Sequence, residues 1–288
     1  MNQKNNLLIM SKEEIIKRAL EEDIGNGDHS SLACIPYSEQ GVMELKVKAD
    51  SGIIAGIDVA KEVVRQVDPS IHMTTFKKDG DTVHRGDIVF TLEGPARSML
   101  TAERTLLNFM QRMSGIATTT HQYVECIKGT KTRLLDTRKT TPNMRIFEKQ
   151  AVKIGGGENH RFGLFDMIML KDNHIDFAGG IEKAIDVTRQ YLANNHLDLK
   201  IEIETRSVDD VRRVVKHGGV QRIMFDNFTP DMIREALPIV NGQYETEASG
   251  NITLENLRSY AETGVDFISV GALTHQIKSL DLSLKAKK

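Results

Sequence analysis

Between Arg133 and His174 the chain carries eight lysines and arginines against five aspartates and glutamates, although its formal net charge is -2. These cations are not scattered. Arg138-Lys139 follow the apolar pair Leu134-Leu135, His160-Arg161 follow Gly155-Gly156-Gly157, and Lys171-Asp172 follow the run Met167–Leu170. Arginine forks and lysine point charges suit carboxylates. Their placement points to a pocket for a small molecule carrying several negative charges. Each piece alone has a blander reading. Arg138-Lys139 would be surface charge, His160 a hydrogen-bonded loop histidine, and the triple glycine a loop without the Lys-Ser/Thr of a P-loop. Together they favour an anion site.

Polar groups continue to recur at regular intervals: Glu202 and Glu204, then Asp226-Asn227, Ser249-Gly250-Asn251 and Gly271-Ala272. Each ends a short apolar segment. The first ends are basic, the middle ones acidic and the last ones small. Carboxylates suit ribose hydroxyls, or a Mg²⁺ ion that keeps its waters and bridges to a diphosphate. Ser249-Gly250-Asn251 ahead of a helix suits a phosphate at a helix N-terminus. Glu202 and Glu204 point to the same side of a strand. At least one of them could instead be a structural partner of Arg222.

The elements that must position these groups follow from periodicity. Strands are predicted at Arg133–Asp136, Met167–Leu170, Leu199–Glu204, Arg222–Asp226, Tyr244–Ser249 and Phe267–Gly271. Helices are predicted between them, at Ile181–Leu192, Val208–Lys216, Met232–Val240 and Leu254–Thr263. The later units repeat at about 22 residues, and no GxGxxG follows the first strand, which favours an α/β barrel over a dinucleotide fold. Six strands make that barrel incomplete unless a seventh is hidden. Upstream, Ser11 and Glu14 read as a capping box before a helix. Short alternating segments from Gly41 to Leu92 around a helix at Val59–Val67 then read as an antiparallel α/β domain. One or two long helices cover Ser98–Lys128 and carry Arg104 and Arg112, which by default are solvated cations.

A sequence pI near 6.5 argues against nucleic-acid binding. The two cysteines, Cys34 and Cys126, form no disulfide framework and read as buried thiols in a reducing compartment. The run Leu7–Met10 is too short for a signal segment, and nothing approaches a membrane span. The expected protein is soluble and cytoplasmic, with no nucleic-acid or membrane partner.

The runs DTRKTTP (Asp136–Pro142), GGGENHR (Gly155–Arg161), IMLKDNHI (Ile168–Ile175) and SVGALTH (Ser269–His275) closely resemble quinolinate phosphoribosyltransferases. The resemblance extends from EDIGNGDHSS (Glu22–Ser31) through AERTLLNFMQRMSGIAT (Ala102–Thr118). It implies an N-terminal α/β sandwich over residues 1–115, whose fold a C-terminal tail from 276 onward joins. An incomplete α/β barrel of the type II phosphoribosyltransferase kind would cover residues 116–275. It also implies transfer of phosphoribosyl from phosphoribosyl pyrophosphate to quinolinate with decarboxylation, assisted by Mg²⁺, in a homodimer or higher homo-oligomer. Carried over, the quinolinate site would use Thr137, Arg138, Lys139, His160, Arg161 and Lys171, with Arg104 supplied by a neighbouring subunit. Glu204 and Asp226 would face ribose and Mg²⁺, the latter through water. Ser249, Gly250, Asn251, Val270, Gly271, Ala272 and His275 would hold phosphate, with Lys139, Lys171, Glu204 and Asp226 as the catalytic set.

Three other readings compete. Lys171 at a strand end could be a Schiff-base nucleophile of an aldolase. A related enzyme could accept nicotinate, although one carboxylate matches so many cations poorly. The Gly-Asp turns of Asp79–Pro95 resemble a lipoyl-type carrier, but Lys77 and Lys78 precede the turn instead of sitting on its tip.

Overall fold

The structure, a computed structural model, describes residues 10–287. Most of the apolar run at Leu7–Met10 therefore lies outside the described residues. The chain divides into two compact units, one of residues 1–118, 142–155 and 277–288, the other of 119–141 and 156–276.

In the first unit Ser11 caps α1 (Lys12–Ile24) by accepting the Glu14 N–H at 3.2 Å, and Asp28 caps the short α2 (His29–Cys34). Next come β1 (Gln40–Val47), β2 (Ser51–Ile53), α3 (Ile57–Val67), β3 (His72–Thr75), β4 (Thr82–His84) and β5 (Ile88–Pro95). Every pairing here is antiparallel, as the alternating pattern predicts. Helix α3 buries Ile57, Val59, Ala60, Val63 and Val64, a helical spacing that turns one face inward. Ile54 to Gly56 are not strand, because Ile57 already begins that helix.

A single helix, α4 (Ala96–Cys126), accounts for the stretch where one or two were expected. Gly115 does not break it. A Cβ there would collide with the Lys278 carbonyl, so the glycine lets the C-terminal segment cross the helix at close range. Arg112 is not a solvated cation: its Nη2 lies 2.7 Å from the buried Glu148, on α5 (Arg145–Ile154). Cys34 is exposed and Cys126 half-buried, which corrects the expectation of two buried thiols. Lys77 pairs with Asp87 at 3.0 Å and is no free hairpin-tip lysine.

The second unit starts with β6 (Arg133–Leu135) and continues through β7 (Ile168–Leu170), α6 (Asp172–Ala178), α7 (Ile181–Asn194) and β8 (Ile201–Thr205). Then follow α8 (Val208–His217), β9 (Arg222–Asp226), α9 (Pro230–Val240), β10 (Glu245–Ser249), α10 (Leu257–Ala261), β11 (Phe267–Ser269) and α11 (Ala272–His275). All six strands are parallel, in the order β6-β11-β10-β9-β8-β7. Among the described residues the hidden seventh strand is reduced to one residue: Glu158 bridges Leu135 outside β6. The barrel is incomplete. The last strand, β12 (Leu282–Ala286), pairs antiparallel with β1 in the first unit. No helix among the described residues is long and apolar enough to cross a membrane.

Candidate active site

Because the strands are parallel, their carboxyl ends open on one face and the polar groups that follow them meet there. A cavity of about 530 Å³ on that face is lined by Thr137, Arg138, Lys139, His160, Arg161, Lys171, Glu204, Asp226, Ser249, Gly250 and Asn251 among others. A second cavity of about 540 Å³ shares Thr137, Lys139, Ser249, Gly250 and Asn251 and adds Val270, Gly271, Ala272 and His275. The two are lobes of one site. Of the expected site residues only Arg104 is elsewhere. It is exposed on α4 in the first unit, and the linings of both lobes come wholly from the second.

The first lobe is electrostatically unbalanced. Arg138, Lys139 and Arg161 line it, and none has a carboxylate within ion-pair distance among the described residues. The Arg138 Nε is buried without a hydrogen-bond partner. Burial and the neighbouring Arg138 push the Arg161 guanidinium below its ordinary pKa, the signature of like charges held close together. Arg161 is nonetheless anchored, donating from Nη1 to the Met167 carbonyl at 3.0 Å. Lys171 differs, its Nζ lying 2.7 Å from Glu204 Oε1, while the Asp172 N–H donates to Glu204 Oε2 at 3.2 Å. Lys171 is thus held against a carboxylate, unlike the three other cations of this lobe.

His160 lies deeper. Its backbone N–H donates to the fully buried Asp136 at 2.8 Å. Its Nε2 is 3.0 Å from Glu202 and 3.3 Å from Glu247, both wholly buried. Arg222 then reaches Glu247 at 3.0 Å and Glu245 at 3.0 Å. Burial disfavours a charged imidazole, but the two carboxylates outweigh it and raise the His160 pKa to about 9. The Arg161 N–H points at Nδ1 from 2.7 Å, which opposes a second ring proton. Burial and Glu247 push Glu202 up to about 7. Glu202 and Glu204 thus share the inward side of β8, but only Glu204 opens onto the cavity, and Arg222 takes Glu245 and Glu247 as its hydrogen-bonded partners.

On the acidic side, burial and then Glu204 push the Asp226 carboxyl above its ordinary range. Two carboxylates facing one cavity are the kind of pair that a cation relieves. The backbone of the small-residue side turns sharply, with φ 95° at Gly250 and 51° at Asn251. Five residues separate Asn251 from α10 at Leu257, so this loop does not lead directly into a helix N-terminus as expected. A turned loop of this kind exposes successive N–H groups, an alternative anion cradle. Sequence reasoning assigned no role to Asn227, Glu247 or Ser269, which also line the cavity. Glu247 precedes Ser249 by two on a strand, so alternation alone places it on the same inward side.

An incomplete parallel barrel with cations on one lobe, carboxylates in the middle and a sharply turned glycine loop on the other is an arrangement suited to an enzyme of the phosphoribosyltransferase class. Family models for the N-terminal and C-terminal domains of quinolinate phosphoribosyl transferase match residues 28–114 and 116–285. The chain belongs to the quinolinate phosphoribosyltransferase family and is a pentosyltransferase. It is 45% identical over 287 residues to the mitochondrial quinolinate phosphoribosyltransferase (decarboxylating) 2b of Nicotiana tabacum, covering 94% of this chain and 81% of that one. It is 44% identical over 263 residues to the probable nicotinate-nucleotide pyrophosphorylase (carboxylating) of Bacillus subtilis strain 168, covering 91% and 89%. The solved nicotinate-nucleotide pyrophosphorylase of Francisella tularensis superposes with a TM-score of 0.87 at 38% identity, covering 96% of each chain.

Proposed function

We propose that this chain transfers phosphoribosyl from phosphoribosyl pyrophosphate to the ring nitrogen of quinolinate. Loss of pyrophosphate and carbon dioxide then gives nicotinate mononucleotide for de novo NAD synthesis. One observation carries this reading: Arg138 and Arg161 line one cavity close enough to disfavour each other's charge, and neither has a carboxylate at ion-pair distance among the described residues. Such a pair is stabilised by an anion lodged between its members. Quinolinate carries two adjacent carboxylates and supplies both charges, whereas nicotinate would leave one guanidinium uncompensated.

Arg138, Arg161, Lys139 and Lys171 hold the diacid. His160, whose ring nitrogens face Glu202, Glu247 and the Arg161 N–H, acts by walling the lobe and placing Arg161. Glu204 and Asp226 face the ribose and stabilise the positive charge that grows as pyrophosphate departs. The pyridine nitrogen then attacks the anomeric carbon. Once quaternised, the ring accepts the electron pair of the breaking ring–carboxylate bond, carbon dioxide leaves, and the ring carbon takes a proton. Lys139 and Lys171 stabilise the charge that remains. Ser249–Asn251, with Val270, Gly271, Ala272 and His275, hold phosphate.

The donor set fits Mg²⁺ at Asp226 better than at Glu204. Asp226 Oδ1 makes no hydrogen bond among the described residues, whereas both Glu204 oxygens already accept bonds. Bound there through water, the ion would neutralise the leaving pyrophosphate. His160, Glu202 and Glu247 also have ligand atoms within 4.8 Å of one another, but Arg222 and the imidazole already balance those carboxylates.

The enzyme works as a homodimer or higher oligomer in which Arg104 of a second copy completes the quinolinate site. Arg104 is exposed on α4 without an ion pair among the described residues, and Leu164, Phe165 and Phe177 are exposed on the site-bearing unit, apolar surface that a second copy would cover. The unpaired Cys34 and Cys126 suit the cytoplasm. The deciding assay follows carbon dioxide released from quinolinate labelled in its 2-carboxylate. Release that requires both phosphoribosyl pyrophosphate and Mg²⁺, with equal nicotinate mononucleotide, is expected. No release from folded protein would discard the reaction.

A further inference from the structure

Strand β9 ends at Asp226, and the next residue, Asn227, adopts a left-handed backbone with φ 56°. Its N–H donates to the Ser249 carbonyl at 2.8 Å, tying the end of β9 to the end of β10. Its side chain spans the same gap. Asn227 Nδ2 donates to Asp226 Oδ2 at 3.0 Å, and Asn227 Oδ1 accepts from Asn251 Nδ2 at 3.0 Å. The direction of the amide is fixed chemically, because an ionised carboxylate only accepts and the NH₂ must face Asp226. A neutral amide offers both a donor and an acceptor in so short a side chain. The fit extends to Gly250, where a Cβ would collide with Asn227 Oδ1 and its parent carbon. The loop therefore closes on the Asn227 amide itself.

We propose that Asn227 is a positioning residue that couples the ribose-side carboxylate Asp226 to the phosphate-side loop Ser249–Asn251. It holds the two ends of phosphoribosyl pyrophosphate in register. This rests on the assignment of that loop and carboxylate to phosphoribosyl pyrophosphate. Asn227 does not itself transfer a proton or touch the pyridine ring. Its loss loosens one substrate site and leaves the cation lobe, built from β6, β7 and the 160–161 turn, in place.

The test uses the full-length enzyme and Asn227→Gly, which keeps the left-handed backbone accessible and removes both side-chain bonds. The apparent KM for phosphoribosyl pyrophosphate should rise about tenfold while that for quinolinate stays within about twofold. Calorimetric titration with phosphoribosyl pyrophosphate alone should show the same weakening. A general structural defect would raise both KM values together, and that result, or an unchanged KM for phosphoribosyl pyrophosphate, overturns the proposal. Gly250→Ala should weaken the same substrate, and combining it with Asn227→Gly should cost less than the product of the separate effects. Strict multiplicativity would refute the contact between them. If Asn227→Gly does not fold, Asn227→Asp keeps the bond to Asn251, places a like charge beside Asp226, and must still raise only the phosphoribosyl pyrophosphate KM. Wild-type enzyme that forms no nicotinate mononucleotide would instead remove the functional assignment itself.

Discussion

The two faces of the barrel carry similar residues in opposite states. At the amino ends of the strands a cavity of about 690 Å³ is lined by Lys131, Arg133, Lys200, Glu245 and Asp266 among others. Each cation there is matched: Lys131 to Asp266 at 3.1 Å, Arg133 to Glu158 at 3.3 Å, and Lys200 to Glu245 at 3.9 Å. Arg133 and Arg222 also sit over the Phe267 ring, each with its guanidinium carbon 4.1 Å from the centroid. At the carboxyl ends the cation-lined lobe is smaller, yet Arg138, Lys139 and Arg161 lack such partners among the described residues. The volume of a single cavity does not identify the site. Unbalanced charge does, since a protein holds like charges together only when something else is to neutralise them.

The largest effect should come from breaking the unbalanced face. Arg138→Ala should lower kcat/KM for quinolinate by roughly 10²–10³-fold, the usual cost of removing one member of a desolvated charge contact. Steady-state kinetics measures it, and a loss below tenfold would mean that Arg138 is not matched by substrate. Mixing Arg104→Ala with Arg138→Ala chains should restore roughly a quarter of wild-type sites, because random dimers contain one intact shared site in every second pair. No recovery after verified subunit exchange would remove the shared-site proposal.

Beneath the cavity, Glu247→Gln leaves His160 and Arg222 less balanced. It should lower stability by about 3 kcal/mol or more, measured by urea unfolding. The same cluster gives a pH prediction. The folded pKa of His160 is raised from 6.5 to about 9. Its stabilising contribution is therefore complete below pH ~6.5 and lost as pH rises through ~9. Thermal midpoints measured across that window should fall, and His160→Gln should flatten the fall. The smallest effect belongs to the balanced face. Lys131→Ala, which removes an exposed ion pair, should change stability by less than ~1 kcal/mol and leave turnover unaltered. Turnover falling as far as in Arg138→Ala would erase the distinction between the faces.

Much of the barrel was legible because its signals are local. Short apolar runs such as Ile223–Phe225 and the repeat of about 22 residues placed six strands, and parallel order then put every carboxyl end on one face. Four features escaped local reading. Arg112 read as solvated, and its partner Glu148 lies 36 residues on. Helix α5 belongs with the first unit although residues 119–141 and 156–276 form the second. Glu202 and Glu204 have the same parity, and only depth separates a buried partner of His160 from a cavity-facing partner of Lys171. Asn227 looked like an ordinary turn residue, and its link to Asn251 spans 24 residues.

By itself the sequence determined the order of strands and helices, the chemical type at each strand end and the family to which the chain belongs. These follow from side-chain periodicity and from short runs read along the backbone. Only the tertiary structure decided which cations are neutralised, which carboxylates are buried and which amide joins two loops. Coulomb and hydrogen-bond energies depend on distances in space, and residues 24 to 36 positions apart acquire those distances only when the strands between them align.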